Sequence, residues 1–295
     1  MRIVSFLPSA TEIVYSLGLG DQLVGVTHEC DFPPEAKSKP IVVRANLDTA
    51  HLEQNEIDRL VSQHLRKGKS LYQVDELLLK KLIPDLIITQ NLCQVCAPSG
   101  NEVTQSLKSL PHSPKILWLT PKNLNDIFKN ILEVGQTINH EKKANELVQS
   151  LQERIKKIKE FTDHLIERPK VFFMEWLDPI YNGGHWISEM IKISGGFDPL
   201  AQDGSDSKRI DWQDVLDLAP EIIILSPCGM NLDQVIKQSS LLKKYSHWQK
   251  LPAVQKNQVF AVDANAYFAR PGPRIVEGIE ILAKIIHPEL FLKRR

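Results

Sequence analysis

Residues 141–165 read EKKANELVQSLQERIKKIKEFTDHL. Apolar side chains recur there every three or four residues, which predicts one apolar stripe along an otherwise charged helix. At ~1.5 Å per residue this helix would be about 38 Å long, enough to connect two lobes. Pro169 is predicted to end it, because proline lacks a backbone N–H and disfavours helix at the residue before it. We therefore expect a spine helix between two halves of the chain. Its stripe is Leu147, Val148, Leu151, Ile155, Ile158, Phe161 and Leu165.

The halves on either side of this helix share a repeated segment. Residues 82–93 read LIPDLIITQNLC, and residues 218–229 read LAPEIIILSPCG. Each contains a leucine, a turn of proline and an acid, an apolar strand and a following cysteine, which indicates an internal repeat. Strands also alternate with helices in each half, as in mainly parallel sheets with right-handed crossovers. The sequence predicts an α/β protein with two related lobes, bridged by one long helix.

The predicted boundaries follow from this repeat. We expect an N-terminal α/β lobe over 1–120, a helical linker over 121–168 containing the spine helix 141–165, and a C-terminal α/β lobe over 169–265. The last part, 266–295, is predicted to be a helix that packs back on a lobe. The stretch 46–74 has no counterpart in the second half and is interpreted as an insertion. Ser9 and Glu12 have the spacing of a capping box and are predicted to begin the first helix.

Composition excludes some classes of partner. The chain has 295 residues, with 36 Lys and Arg against 36 Asp and Glu, so its net charge gives no reason to expect nucleic acid or an anionic membrane. No apolar run approaches the ~18 residues of a membrane span. The sequence begins MRIVSFLPS, directly in a predicted strand, and we expect a cytoplasmic monomer. A protein whose export signal had been removed would begin in the same way and would be periplasmic or extracytoplasmic.

All four cysteines follow predicted strands: Cys30, Cys93, Cys96 and Cys228. The carboxyl ends of parallel strands meet at the ligand-binding edge of a sheet, so the thiols are predicted to converge there. Together with His28 they are candidate ligands for zinc or an iron–sulfur cluster, because thiolates suit both. The competing interpretation is that each cysteine is a small buried apolar side chain. A thiol redox enzyme is the alternative function.

Aromatic side chains form a second group, in predicted loops of the second half. With a histidine and an arginine nearby, they would suit a large planar ligand that needs apolar walls and a few polar contacts. The sequence contains no nucleophile elbow, phosphate loop or dinucleotide fingerprint, so binding is favoured over catalysis and no catalytic residue is assigned. The candidate ligand-binding residues are Trp176, Tyr181, His185, Trp186, Tyr267 and Arg270.

Several motifs together resemble a known family. In order along the chain they are SFLPSATEIVYSLGLGDQLVGVT (5–27), DFPPEA (31–36), PDLIIT (84–89), the spine helix, SGGF (194–197), YFAR (267–270) and PR (273–274). This order is similar to that of the cobalamin-binding and iron-siderophore-binding receptors of ABC importers, and closest to the cobalamin branch.

The resemblance implies two lobes bridged by a single helix, with cobalamin or a related corrinoid held between them and an ABC permease as partner. It also implies that Tyr181, Trp186 and Tyr267 lie where aromatic side chains meet the corrin. We expect the chain to depart from the family in lacking an export signal, in the insertion over 46–74 and in the thiols near Cys30 and Cys93. These departures favour a cytoplasmic relative, and they keep the thiolate metal or iron–sulfur protein as the alternative.

Overall fold

The computed structural model describes residues 1–49, 51–90, 110 and 112–292. The chain divides into two compact units. Among the described residues, no helix combines the length and the apolar character needed to cross a membrane. The first unit comprises Met1–Leu52, Glu56–Pro121 and Asn125–Val148; the second comprises Glu53–Asn55, Lys122–Leu124 and Gln149–Arg295.

In the described part of the first unit, six strands form one sheet in the order β4-β3-β2-β1-β5-β6. Neighbouring strands are parallel except for the antiparallel pair β3 and β4. The strands are β1 (Ile3–Ser5), β2 (Leu23–Thr27), β3 (Ile41–Ala45), β4 (Tyr72–Val74), β5 (Leu86–Thr89) and β6 (Lys115–Trp118). The helices are Pro8–Ser16, Gln54–Arg66, Glu76–Leu82 and Leu124–Thr137, with 3₁₀ turns at Gly20–Gln22 and Pro34–Ser38.

The described residues of the second unit form a four-stranded sheet in the order β10-β9-β7-β8. The pairs β7/β9 and β9/β10 are parallel, and β7/β8 is an antiparallel hairpin. The strands are β7 (Val171–Leu177), β8 (Ile180–Asn182), β9 (Ile222–Leu225) and β10 (Val259–Ala261). The helices are Ile187–Ile193, Trp212–Leu218, Leu232–Ser239, Pro252–Gln255, Ala264–Tyr267, Ile275–Ile286 and Pro288–Leu292, with 3₁₀ turns at Ser240–Lys244 and Trp248–Lys250. Two mainly parallel α/β units confirm the predicted fold class.

The spine helix spans Glu141–Thr162, three residues less than predicted. Its end is determined by side chains: the Thr162 hydroxyl donates to the Ile193 carbonyl at 2.7 Å, and Arg168 Nη2 donates to the Thr162 carbonyl at 3.1 Å. The second bond satisfies the Thr162 carbonyl, which a further helical turn would have used. Residues up to Val148 belong to the first unit and those from Gln149 to the second, while the domain limits derived from the sequence remain a prediction.

The helix Ile275–Ile286 belongs to the second unit and packs there on the helix Ile187–Ile193. A bidentate ion pair also joins it to the spine helix: Arg154 Nε and Nη2 donate to the two carboxylate oxygens of Glu280 at 2.8 and 2.9 Å. This pair raises the pKa of Arg154 and lowers that of Glu280, as expected when each partner stabilises the charged form of the other.

The first helix differs from its prediction. It begins at Pro8, with Leu7 as its N-cap and no side-chain cap, so the predicted capping box at Ser9 and Glu12 is wrong. Ser9 and Glu12 are 4% and 2% exposed and lie inside the helix. Pro8 explains the earlier start, because its fixed φ suits the first helical position and its missing N–H needs no partner there.

The repeated segment forms a corner before β5 in the first unit. Ile83 ends the helix Glu76–Leu82 in a left-handed conformation with φ 44°. Asp85 Oδ2 then accepts a hydrogen bond from the backbone N–H of Arg2 at 2.7 Å. The Arg2 side chain donates from Nε to the Leu82 carbonyl at 2.6 Å, which satisfies one of the unpaired carbonyls at the helix end.

The second unit repeats this corner before β9, bond for bond. Ala219 ends the helix Trp212–Leu218 with φ 49°. The carboxylate of Glu221 accepts from the backbone N–H of Lys170 at 3.0 Å, and Lys170 Nζ donates to the Leu218 carbonyl at 3.2 Å. The internal repeat of the sequence is therefore a repeat of hydrogen bonding as well.

A buried carboxylate holds the loop that follows the helix Ile187–Ile193. Asp198 is 4% exposed and accepts from the backbone N–H of Phe173 at 3.2 Å and of Leu200 at 3.0 Å. Asn182 holds the same loop, because its amide donates to the Leu200 carbonyl and accepts from the backbone N–H of Lys208. The loop is thereby fixed to the strands β7 and β8.

The left-handed corner of the second unit gives a stability prediction. Replacing Ala219 by glycine removes the Cβ that disfavours φ 49°, so Ala219→Gly should raise the free energy of unfolding by about 0.5–1 kcal/mol despite the more flexible unfolded chain. Urea denaturation measures this change. The matched control is Ala283→Gly inside the helix Ile275–Ile286, which should lower stability by about 1 kcal/mol or more. A loss of stability in Ala219→Gly would contradict the prediction.

Asp198 gives a pH prediction. Burial raises its pKa from 3.8 to about 7, although three backbone N–H groups favour the ionised form. The folded state then holds the proton more tightly than the unfolded state. The stabilisation is complete below about pH 4 and is lost as pH rises through about 7, with a slope of at most ~1.4 kcal/mol per pH unit.

Asp198→Asn removes the titrating group, so its urea midpoints from about pH 4 to about pH 8 should vary less than those of the unaltered chain. An unchanged pH dependence in the variant would show that another group causes it.

Candidate functional site

The carboxyl ends of the parallel strands are the edge at which open α/β sheets bind ligands. In the second unit this edge follows Leu177 of β7, Leu225 of β9 and Ala261 of β10. All six residues predicted to bind a ligand belong to this unit: Trp176, Tyr181, His185, Trp186, Tyr267 and Arg270. None of the observations below tests ligand contact itself, so their assignment as ligand-binding residues remains a prediction.

Trp176 and Tyr181 lie side by side on the hairpin β7–β8. They are cross-strand partners, so their side chains extend on the same face of the hairpin. Both are partly buried. The indole Nε1 of Trp176 is enclosed, and within the described residues it has no hydrogen-bond partner. The pair supplies an aromatic surface close to the carboxyl end of β7.

A tight loop follows the hairpin, and its glycine is required. The backbone N–H of Gly184 donates to Glu175 Oε2 at 2.7 Å, which ties the loop back to β7. A Cβ on Gly184 would collide with the backbone of Ser207, so no other residue fits. This close approach places the next residue, His185, against the loop 204–207.

His185 is held in a left-handed conformation with φ 52°. Its backbone N–H donates to the Ser205 carbonyl at 2.6 Å, and its carbonyl accepts from Gly204 at 2.9 Å. The ring Nε2 lies 3.2 Å from Asp206 Oδ1, without the alignment of a hydrogen bond. Burial, with Lys122 nearby, lowers the pKa of His185 despite Asp206, which favours the neutral imidazole.

Trp186 contributes mainly to the core. It is 5% exposed, and its Nε1 donates to the Phe268 carbonyl at 2.8 Å. Phe268 in turn packs on Phe173, with ring centroids 5.5 Å apart. The hydrogen bond to Phe268 uses the only polar group of the Trp186 indole. Together, the two contacts connect β7 and Trp186 to the segment that carries Tyr267.

Tyr267 lies at the end of the short helix Ala264–Tyr267 and is partly buried. Asp263 caps this helix by accepting from the backbone N–H of Ala266 at 2.8 Å. The guanidinium of Arg274 lies 5.8 Å from the centre of the Tyr267 ring, within cation–π distance. Arg270 is 8% exposed, so its charge is largely withdrawn from solvent.

His28 is exposed at the carboxyl end of β2, in the first unit. Its Nδ1 lies 3.3 Å from the hydroxyl of the buried Thr27. Two residues further on, Cys30 is 4% exposed, and its sulfur lies 3.1 Å from Thr11 Oγ1 in a cluster with Val26. Cys30 therefore occupies the interior, as a small apolar side chain would.

The predicted thiolate site finds no support in the described residues. Cys93 and Cys96 lie outside them, and Cys228 is a partly exposed free thiol after β9. Within the described ranges, no group of three or more His, Cys, Asp or Glu side chains could hold a metal ion. Convergence of the four cysteines remains untested, and a zinc or iron–sulfur site is not shown.

Sequence reasoning did not identify two polar contacts near the end of β7. Gln54 is fully buried in the second unit, and its Oε1 accepts from the backbone N–H of Leu177 at 2.7 Å. Asp178 accepts from the Tyr245 hydroxyl at 2.7 Å and pairs with Lys244 at 2.8 Å. No local pattern indicates either contact, because both partners are distant in sequence.

Known proteins resemble the chain over nearly its whole length. It is 28% identical, over 98% of its length and 81% of the relative's, to the uncharacterized ABC transporter substrate-binding lipoprotein YvrC of Bacillus subtilis. A vitamin B12-binding protein of Vibrio cholerae is 27% identical, over 95% of this chain and 86% of that protein.

A solved structure also matches the fold. The periplasmic heme-binding protein RhuT of Roseiflexus, in apo form, superposes with a TM-score of 0.72 and covers 98% of each chain at 19% identity. At this identity the likeness establishes the fold alone. Residues 3–266 match the family described as "Periplasmic binding protein", and the chain belongs to this family.

Proposed function

We propose that this chain binds a corrinoid of the cobalamin type and delivers it to an ABC permease. The observation that carries the proposal is the 27% identity to a vitamin B12-binding protein over 95% of the chain. The edge of the second unit supports it, because Trp176, Tyr181 and Tyr267 provide aromatic surface there. A corrin is large, with apolar faces and amide side chains, so it needs such walls and a few polar contacts.

We infer the permease as partner from the relative of Bacillus subtilis, whose name describes an ABC transporter substrate-binding lipoprotein. We infer an extracytoplasmic location on the same ground. The cytoplasmic location expected from the first residues finds no support in the comparisons. A binding role requires no chemical step, so we propose that the chain is not an enzyme. The monomeric state remains a prediction.

The thiol alternative is not favoured by any observation. Cys30 is packed in the interior, and the relatives are named for ligand binding or transport. A redox pair would have to come from Cys93 and Cys96, which lie outside the described residues. We therefore propose no second function.

Calorimetry with cyanocobalamin, dicyanocobinamide and haemin tests the corrinoid assignment. We expect both corrinoids to bind at micromolar concentration or below, and haemin to bind at least about tenfold more weakly, a difference of about 1.4 kcal/mol. Tyr267→Ala should weaken corrinoid binding at least about tenfold, because stacked aromatic contacts contribute about 0.5–1.5 kcal/mol beyond their buried area.

The matched control is Tyr72→Ala, because Tyr72 is also partly buried but lies on β4 of the first unit. Its corrinoid affinity should stay within about twofold of the unaltered chain, a difference below ~0.5 kcal/mol. Binding of haemin in preference to both corrinoids would reject the corrinoid assignment, although the family would stand.

A further inference from the structure

Part of the aromatic surface of the proposed site lies on a hairpin of the second unit. A turn of two residues, Asp178 and Pro179, joins β7 to β8. Trp176 and Tyr181 are cross-strand partners beside this turn. β8 has three residues and lies at the edge of its sheet, so its position depends on contacts beyond the pairing with β7.

Trp176 is held in place through this hairpin. Its indole Nε1 is enclosed and has no hydrogen-bond partner among the described residues, so no polar contact of its own fixes the ring within that part of the chain. The backbone of the hairpin and the packing around the ring therefore determine where the aromatic face lies. A contact that fixes the turn also fixes this face.

A carboxylate ties the turn to a distant segment of the same unit. Asp178 Oδ1 accepts from the Tyr245 hydroxyl at 2.7 Å, and Oδ2 accepts from Lys244 Nζ at 2.8 Å. The Lys244 side chain is 45% exposed, so water screens the ion pair. Burial and the bond to Asp178 raise the pKa of Tyr245 above its ordinary value, so its hydroxyl keeps the proton that it donates. We therefore expect the tyrosine hydroxyl to hold the turn more strongly than the lysine.

The ring of Tyr245 is fixed as well. It packs on Trp212, with ring centroids 4.9 Å apart. Trp212 lies two residues after Ile210, whose backbone N–H donates to the Ile180 carbonyl of β8 at 2.9 Å. Tyr245 thus contacts the turn of the hairpin with its hydroxyl, and its ring packs at the end of the segment that borders β8.

Resting on the proposed function, we propose that Tyr245 is a positioning residue for corrinoid binding. Its hydroxyl holds Asp178, and the hairpin then presents Trp176 and Tyr181 in one fixed place. Tyr245 itself need not touch the ligand. Ordering a free hairpin on binding would cost affinity, whereas a clamped hairpin presents its aromatic face in advance. The geometry of a binding site is kept in this way by neighbours that lock the contacting side chains.

Tyr245→Phe tests the hydroxyl, because it keeps the ring on Trp212 and removes the bond to Asp178. By calorimetry, its affinity for cyanocobalamin should fall about fivefold, the effect of losing one ordinary hydrogen bond. Asp178→Ala should have a similar effect. Asp178→Asn is the matched control: its amide oxygen still accepts from Tyr245, so its affinity should stay within about twofold of the unaltered chain.

Hydrogen exchange followed by mass spectrometry gives a readout without ligand. In Tyr245→Phe the backbone amides of residues 177–182 should exchange faster than in the unaltered chain, because the turn opens more often. The amides of β9 should exchange at the same rate in both proteins, which also shows that the variant folds.

A double-mutant cycle with Trp176→Ala separates positioning from a general loss of stability. If Tyr245 acts through the hairpin, Tyr245→Phe should weaken binding by about twofold or less once the Trp176 ring is removed. Combined with Tyr267→Ala, which changes a different element, it should still weaken binding about fivefold. A general loss of stability would give the same factor in both backgrounds.

The outcomes distinguish the positioning role from the proposed function. If Tyr245→Phe binds cyanocobalamin as tightly as the unaltered chain, if exchange in the hairpin is unchanged, or if the loss of affinity persists in full with Trp176→Ala, the positioning role is rejected and the corrinoid function stands. If the unaltered chain binds neither cyanocobalamin nor dicyanocobinamide, both proposals are rejected.

Discussion

Two corners, each with a left-handed residue, a proline and an acid, determine how the central strands start. In the first, the residue before β1 is Arg2, which gives its backbone N–H to Asp85 and its side chain to the end of the preceding helix. Both bonds lie in exposed positions, where the Arg2 side chain takes the place of water at an unpaired carbonyl of the helix end. The corner therefore fixes the register of β1 on β5, which pairs Ile3 with Leu86. Lys170 and the second corner fix β7 on β9 in the same way.

Because both members of each central pair start at a corner and run parallel, their carboxyl ends reach the opposite edge of the sheet together. The ligand-binding edge is a consequence of this shared starting point. In the second unit it presents Trp176, Tyr181 and Tyr267. In the first unit β2 runs parallel to β1 and places His28 at the corresponding edge. The bonds that build the fold thus also decide which side chains can meet a ligand.

The sequence predicted those parts of the fold that local chemistry determines. The repeated segments predicted an apolar strand after each turn of proline and an acid, and β5 and β9 lie there. Strand β8 was missed, since Ile180–Asn182 is short and exists through pairing with β7. The candidate site residues remain a prediction. Two of them, Trp186 and Cys30, were expected to contact a ligand or a metal, and both side chains are buried. Burial depends on neighbours distant in sequence, such as Phe268 for Trp186, and local patterns do not contain them.

Several residues that the sequence predicts as ligand contacts are held by hydrogen bonds or ring contacts within their own unit. Both backbone polar groups of His185 are bonded to the loop 204–205, Tyr267 ends a capped helix beside Arg274, and His28 is anchored through Thr27. Ordering a flexible side chain at an interface costs about 0.5–1.5 kcal/mol, and groups that are already fixed avoid most of this loss.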